Sequence, residues 1–239
     1  MLQQHSIRFD IKYQFFVSFL GLFLIVLLTL FPPVVIGNVT WRKPVVGSIF
    51  SIICVLGVFA IFLPNKCLVI RSIVKKNNNV LDSAKFTLHS ESKTLQGHHP
   101  ICGNYEAHIF RIKDSIFCAA CAGLLFGAFL ALVGAAAYFF DGLMVSDHSL
   151  LVWLGVVGVI FGFFQFKFRS FIRLLSNTIF VLGALLVLIG IDALLLSLVL
   201  DLFVISVIVF WLYSRISFSQ WDHQIICSGC DFENCQIRK

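Results

Sequence analysis

Long apolar runs without a single charge dominate the chain, and they dictate its solvent. A helix needs roughly 20 mostly apolar residues to cross a ~30 Å hydrocarbon core. Four runs meet that need: residues 13–31, ended by Pro32-Pro33; 45–63, ended by Pro64; 116–140, ended by Asp141-Gly142; and 150–166, ended by Lys167. Proline stops a helix because it has no N–H to donate. A fifth run, residues 177–213, would be about 55 Å long as one straight helix, nearly twice the core. It must hold two spans. The turn belongs between Gly190 and Asp201, because Asp192 and Asp201 are the run's only charges and each is cheaper at an interface than in lipid.

The expected fold is therefore an all-α integral membrane protein, a bundle of about six transmembrane helices. Composition agrees: 59% of residues are hydrophobic, 13% charged, and mean hydropathy is +0.95. A soluble domain is nearer ~45–50% apolar and ~25% charged. These values exclude a disordered chain, a coiled coil and a nucleic-acid binder. The net charge of +6 reads as membrane-side lysine and arginine, not as a polyanion site. The first apolar run exceeds the ~7–15 residues of a signal h-region and lacks a small-residue cleavage site, so it is expected to remain as a span.

Cations set the expected orientation. The connection after span two carries Lys66, Arg71, Lys75, Lys76, Lys85, Lys93, Arg111 and Lys113; the one after span four carries Lys167, Arg169 and Arg173. Both read as cytoplasmic, with both termini on the same side. Arg42 and Lys43, in the first outer loop, run against this pattern. The expected division is residues 1–63 for helices one and two, 64–97 for a cytoplasmic linker, 98–123 for a Cys/His module running into helix three, 116–213 for helices three to six, and 214–239 for a cytoplasmic Cys/His tail.

The module is the chemical signal. It reads His98-His99-Pro100-Ile101-Cys102, then an alternating stretch His108-Ile109-Phe110-Arg111-Ile112, a turn at Lys113-Asp114-Ser115, Ile116-Phe117, and Cys118-Ala119-Ala120-Cys121 opening a helix. A knuckle, a β-hairpin and a helix-start Cys-x-x-Cys is the order of a treble-clef zinc site. Zinc takes four nitrogen or sulfur ligands tetrahedrally. The free N–H groups of a helix's first turn also favour thiolates. Cys102, Cys118, Cys121 and one of His98 or His99 complete a set, with His108 as substitute or supporting group. In the tail, His223, Cys227, Cys230 and Cys235 form a second candidate cluster, for a second ion or to join the first. Cys54 and Cys67 read as small apolar fillers.

The run ending Cys118-Ala119-Ala120-Cys121-Ala122-Gly123 resembles uncharacterised prokaryotic, archaeal-type polytopic membrane proteins. Their signature is a Cys/His pair, an Arg-containing stretch and Cys-x-x-Cys-x-Gly opening a membrane helix. It is similar also to archaeal membrane proteins with a His-His-Pro-x-Cys element and a late Trp-Asp-His, here Trp221-Asp222-His223. Here the histidines precede Cys102 instead of following it. The resemblance implies a metal site and a prokaryotic plasma membrane; it implies no activity.

Small residues recur along span three (Ala119, Gly123, Gly127, Ala131, Ala135) and span four (Gly155, Gly158, Gly162), as faces for close helix packing. Gln165, Arg169, Arg173 and Asn177 read as anchors for lipid phosphates. Trp41, Trp153, Trp211 and Trp221 read as interfacial aromatics. The chain has no phosphate-binding glycine loop, no His-Glu-x-x-His and no serine nucleophile elbow. The expected function is a noncatalytic scaffold whose zinc-stabilised cytoplasmic face docks a protein partner. The alternatives are a membrane thiol oxidoreductase using Cys118 and Cys121, and a zinc-dependent membrane hydrolase with His108 or Glu106 as base.

Overall fold

The computed structural model describes residues 2–33, 41–62, 95–96, 107–112 and 115–228. The helices are α1 (Leu2–Leu30), α2 (Arg42–Phe62), α3 (Ala119–Ala135, continued by a π-helical turn Ala136–Phe140), α4 (His148–Phe163, ending in a 3-10 turn Phe164–Lys167), α5 (Ser170–Leu195) and α6 (Leu198–Ser228). The strands are β1 (Leu95–Gln96), β2 (Ile109–Ile112) and β3 (Ser115–Cys118). Each helix contains a stretch long and apolar enough to cross a membrane: Asp10–Leu30, Arg42–Ile61, Ala119–Phe140, His148–Lys167, Ser170–Leu195 and Leu198–His223, six in all.

The run at 177–213 breaks where its two aspartates predict. Leu196 takes a left-handed conformation (φ 50°), and its N–H caps the carbonyl of Asp192 at 3.2 Å, so α5 stops and α6 starts again at Leu198. Such a short turn makes the two helices antiparallel neighbours.

α5 is the centre of the bundle. Its apolar window is 72% buried, against 22% for α1, and it packs on α3, α4 and α6. Glycines let the backbones meet. A Cβ on Gly155 of α4 would stand 2.6 Å from the Gly183 carbonyl oxygen of α5, and one on Gly183 would stand 2.7 Å from that of Gly155. A side chain on Gly123 of α3 would collide with the Leu174 carbonyl. Thr178 then donates across the same interface to the Gly123 carbonyl at 3.0 Å. Lipid tails are as apolar as leucine, so close contact and such polar bridges supply most of the association. The small-residue faces read from the sequence are packing surfaces.

α1 closes on α6 through Ser18 Oγ to Ser214 Oγ at 3.1 Å, Trp211 Nε1 to the Ser18 carbonyl at 3.2 Å, and Phe15 stacked on Phe218 with ring centroids 4.3 Å apart. Trp211 is fully buried, which corrects its reading as an interfacial aromatic. α6 also runs on without a break from residue 213 to Ser228, with Ser214, Arg215 and Phe218 buried, so the expected tail begins as membrane-bundle helix.

At one end of the bundle β2 and β3 form the expected hairpin, with Ile109 opposite Cys118 and Ile112 opposite Ser115. β1 adds a short parallel strand, Leu95 beside Ile116, where the sequence predicted only linker. The hairpin takes residues 116–118 out of the expected third helix, so α3 begins at Ala119.

Candidate functional site

The hairpin passes directly into α3, and Cys118 is the residue at that junction, extended (φ −72°, ψ 118°) at the N-cap position of the helix, with no cap bond from its side chain. Cys121 follows one turn later. Both are buried, at 2% and 5% exposure, packed with Ile61 from the end of α2. His98, His99, Cys102, Cys230 and Cys235 lie outside the described residues, and Cys227 falls in the last turn of α6. Among the described residues, no three His, Cys, Asp or Glu side chains gather to hold a metal ion.

His108, just before β2, lies in a different constellation. Arg173 of α5 donates through Nη1 to His108 Nδ1, which leaves the proton of a neutral ring on Nε2. Nε2 faces Asp222 Oδ2 of α6 at 3.6 Å, and Arg173 Nη2 donates to the same carboxylate oxygen at 2.8 Å. His223 brings its ring to 5.3 Å from that of His108, centroid to centroid. Beneath them Arg173 Nε donates to the Gln165 carbonyl at 3.2 Å, and Arg215 Nη2 donates to Gln165 Oε1 at 2.6 Å. One residue from each Cys/His cluster of the sequence, His108 and His223, thus meets the other at one end of the bundle.

This arrangement corrects the reading of Gln165, Arg173 and Asn177 as lipid anchors. All three are buried, at 3%, 4% and 0% exposure. The hairpin brings His108 and α6 brings Asp222, so Arg173 turns inward to a carboxylate and an imidazole. Asp222 was visible only as part of the Trp-Asp-His triplet; an acid and an arginine at the same end of consecutive spans was the available signal.

A second buried polar cluster lies at the opposite end. Arg42, the first residue of α2, is 1% exposed, and its Nη1 donates to Asp192 Oδ1 at 2.5 Å and to Asp201 Oδ2 at 2.6 Å. Tyr138, in the π-helical turn, donates to Asp192 Oδ2 at 2.7 Å, and the Lys43 ammonium lies over the Tyr138 ring, 4.3 Å from its centroid. Local geometry favours these partners. Arg42 also approaches the Asp192 carbonyl, at 3.4 Å, near the negative end of α5, and Asp201 sits in the first turn of α6. A guanidinium held between two carboxylates is a structural cation, which explains why Arg42 departs from the charge pattern of the loops.

No protein-family model matches the chain, and comparison with curated proteins and with solved structures gives no match. The six apolar helices, with α5 at their centre, define the class: a multi-pass helical membrane protein.

Proposed function

We propose that the protein is a membrane scaffold whose Cys/His module, on the cytoplasmic face of a plasma membrane, holds a structural zinc ion and presents a docking surface to a protein partner. One observation carries this reading: the Cys118–Cys121 helix start and His223 of the far α6 end lie at the same end of the bundle, tied by the His108–Arg173–Asp222 contacts. Cys118 and Cys121 suit zinc as soft ligands one helical turn apart. The remaining ligands would come from His98, His99 and Cys102, with Cys227, Cys230 and Cys235 as a second donor set. Zinc would supply cross-linking of the module to α3, not chemistry. His108 holds the module to α5 and α6 as a supporting group. The cation-rich connections favour the cytoplasmic placement of this end. The resemblance to archaeal-type proteins with Cys-x-x-Cys-x-Gly belongs to the same proposal.

The burial of Cys118 and Cys121 favours this reading over a thiol oxidoreductase, whose sulfurs must be reached by a second thiol or a quinone. The Arg173 contact on His108 likewise disfavours a hydrolase with His108 as base.

The test is elemental analysis of detergent-purified protein, wild type beside Cys118→Ser and Cys230→Ser, with thiols counted on the same samples. Bound zinc, lost in the variants together with folded yield, is the expected result, because metal-binding free energy is folding free energy in such modules. Metal-free protein with a reversible Cys118–Cys121 disulfide would replace the scaffold by the oxidoreductase.

A further inference from the structure

The buried charges around Arg42 do not balance. Arg42, Asp192 and Asp201 are 1%, 0% and 0% exposed, and both carboxylates bear on one guanidinium nitrogen, so their oxygens stand no more than about 5 Å apart. With both ionised, the cluster keeps one uncompensated negative charge in an interior that solvates charge poorly.

Among the described residues, no cation other than Arg42 lies within ion-pair distance of either carboxylate. On α2 Lys43 places its ammonium over the Tyr138 ring. Tyr138, in the π-helical turn, is a neutral donor to Asp192. On α4 His148 lies beside α5, its carbonyl 2.9 Å from where a Cβ on Gly190 would be, and its buried Nδ1 has no partner among the described residues. Asp141 and Asp147, in the connection between α3 and α4, are exposed. The described ionisable residues of α1, Asp10, Lys12 and Tyr13, lie at the other end of that helix.

The two carboxyls are not equivalent. Asp192 receives a donor on each oxygen, Arg42 on Oδ1 and Tyr138 on Oδ2. Asp201 receives Arg42 on Oδ2, while its buried Oδ1 has no partner among the described residues. Asp192 thus has the donors that an anion needs and Asp201 lacks one of them, so Asp201 is the carboxyl whose negative charge is less supported and the one that takes a proton more readily.

We propose that the Asp192–Asp201 pair is a proton-binding site within the membrane region, the proton residing on Asp201, so that Arg42 and Asp192 form a neutral pair beside a neutral acid. Release of that proton to water leaves the cluster with a net negative charge where α2, the π-helical turn, α5 and α6 meet. That end of the bundle is then the part that responds to alkaline conditions.

The test uses the full chain in liposomes. Infrared difference spectra and thermal unfolding are recorded from about pH 6 to about pH 9 for wild type, Asp201→Asn and Asp192→Asn. A group protonated in the fold and ionised in the unfolded chain adds stability at low pH that is lost as pH rises. Wild type should therefore show a protonated-carboxyl stretch that shifts in heavy water and a melting temperature that falls towards alkaline pH. Asp201→Asn, which copies the neutral acid in shape, should lose that band, keep the wild-type melting temperature at neutral pH and lose the alkaline decline. Asp192→Asn should lower folded yield. The proposal fails if wild type has no protonated-carboxyl band, which is readable even if Asp201→Asn does not fold. It fails equally if Asp201→Asn is as damaging as Asp192→Asn, or if added sodium at fixed pH stabilises wild type as lower pH does, which would assign the site to a metal cation.

Discussion

Arg173 Nη2 donates to Asp222 Oδ2 at 2.8 Å, closing 49 residues of chain onto one end of the bundle. The arginine side chain is 5% exposed and the carboxylate 21%, so the bond is mostly shielded from water. Removing the acid leaves a buried guanidinium facing His108. Asp222→Ala should lower unfolding free energy by about 1–3 kcal/mol in detergent, and Asp222→Asn, which keeps an acceptor oxygen, by less. Equal losses in the two variants would mean that charge and hydrogen bond contribute nothing there beyond side-chain volume.

The α4–α5 contact should be intolerant of a methyl group. Gly155→Ala places a Cβ 2.6 Å from the Gly183 carbonyl oxygen and 2.7 Å from the Val187 nitrogen, both backbone atoms that cannot step aside. Overpacking of this kind costs about 1–3 kcal/mol. Gly57 of α2 has open space around it, so Gly57→Ala should be neutral or stabilise by up to about 1 kcal/mol through helix propensity. Matched melting curves of the two variants would contradict the packing described.

Trp211 and Trp153 should differ in their access to lipid. Trp211 is 0% exposed with its indole N–H on the Ser18 carbonyl, whereas Trp153 on α4 is 42% exposed. In single-tryptophan variants, brominated lipids should quench Trp153 strongly and Trp211 weakly. Strong quenching of Trp211 would place α6 outside the α1 contact.

Orientation is open to direct chemical reading. Met144, in the connection between α3 and α4, is 95% exposed. With the module on the cytoplasmic side, Met144→Cys should react with a membrane-impermeant maleimide in intact cells. Labelling only after the membrane is opened would invert the proposed topology.

The six spans and the turn near Asp192 were legible because apolar length and isolated charges are properties of the chain alone. The hairpin at 109–118 was legible for the same reason, since its alternation is local. What the sequence did not disclose was partnership. Arg173, Gln165 and Asn177 fall around the junction of two apolar runs and read as lipid anchors; only the arrival of His108 and Asp222 at Arg173, and of Arg215 at Gln165, all from distant segments, shows that this junction faces inward. Trp211 failed in the same way, because a helix apolar all round gives no sign of which face meets α1. Arg42 disturbed the orientation reading because loop counting treats every cation as solvated, and this one is held by two acids. Opposite charges at the same end of different spans were the missed clue.

The polar residues of α5 also act as a ruler. Arg173 marks one end and Asp192 the other, and at 1.5 Å per residue the interval between them is about 28 Å, close to the ~30 Å of a typical hydrocarbon layer. Both rungs are pinned to other helices, so α5 cannot shorten its fit by sliding alone. Short-chain lipids would bring headgroups and water down onto the fastened ends; very long chains would draw both charged knots under the oil. The protein is thus gauged to one membrane thickness, and its stability should pass through a maximum as acyl length is varied.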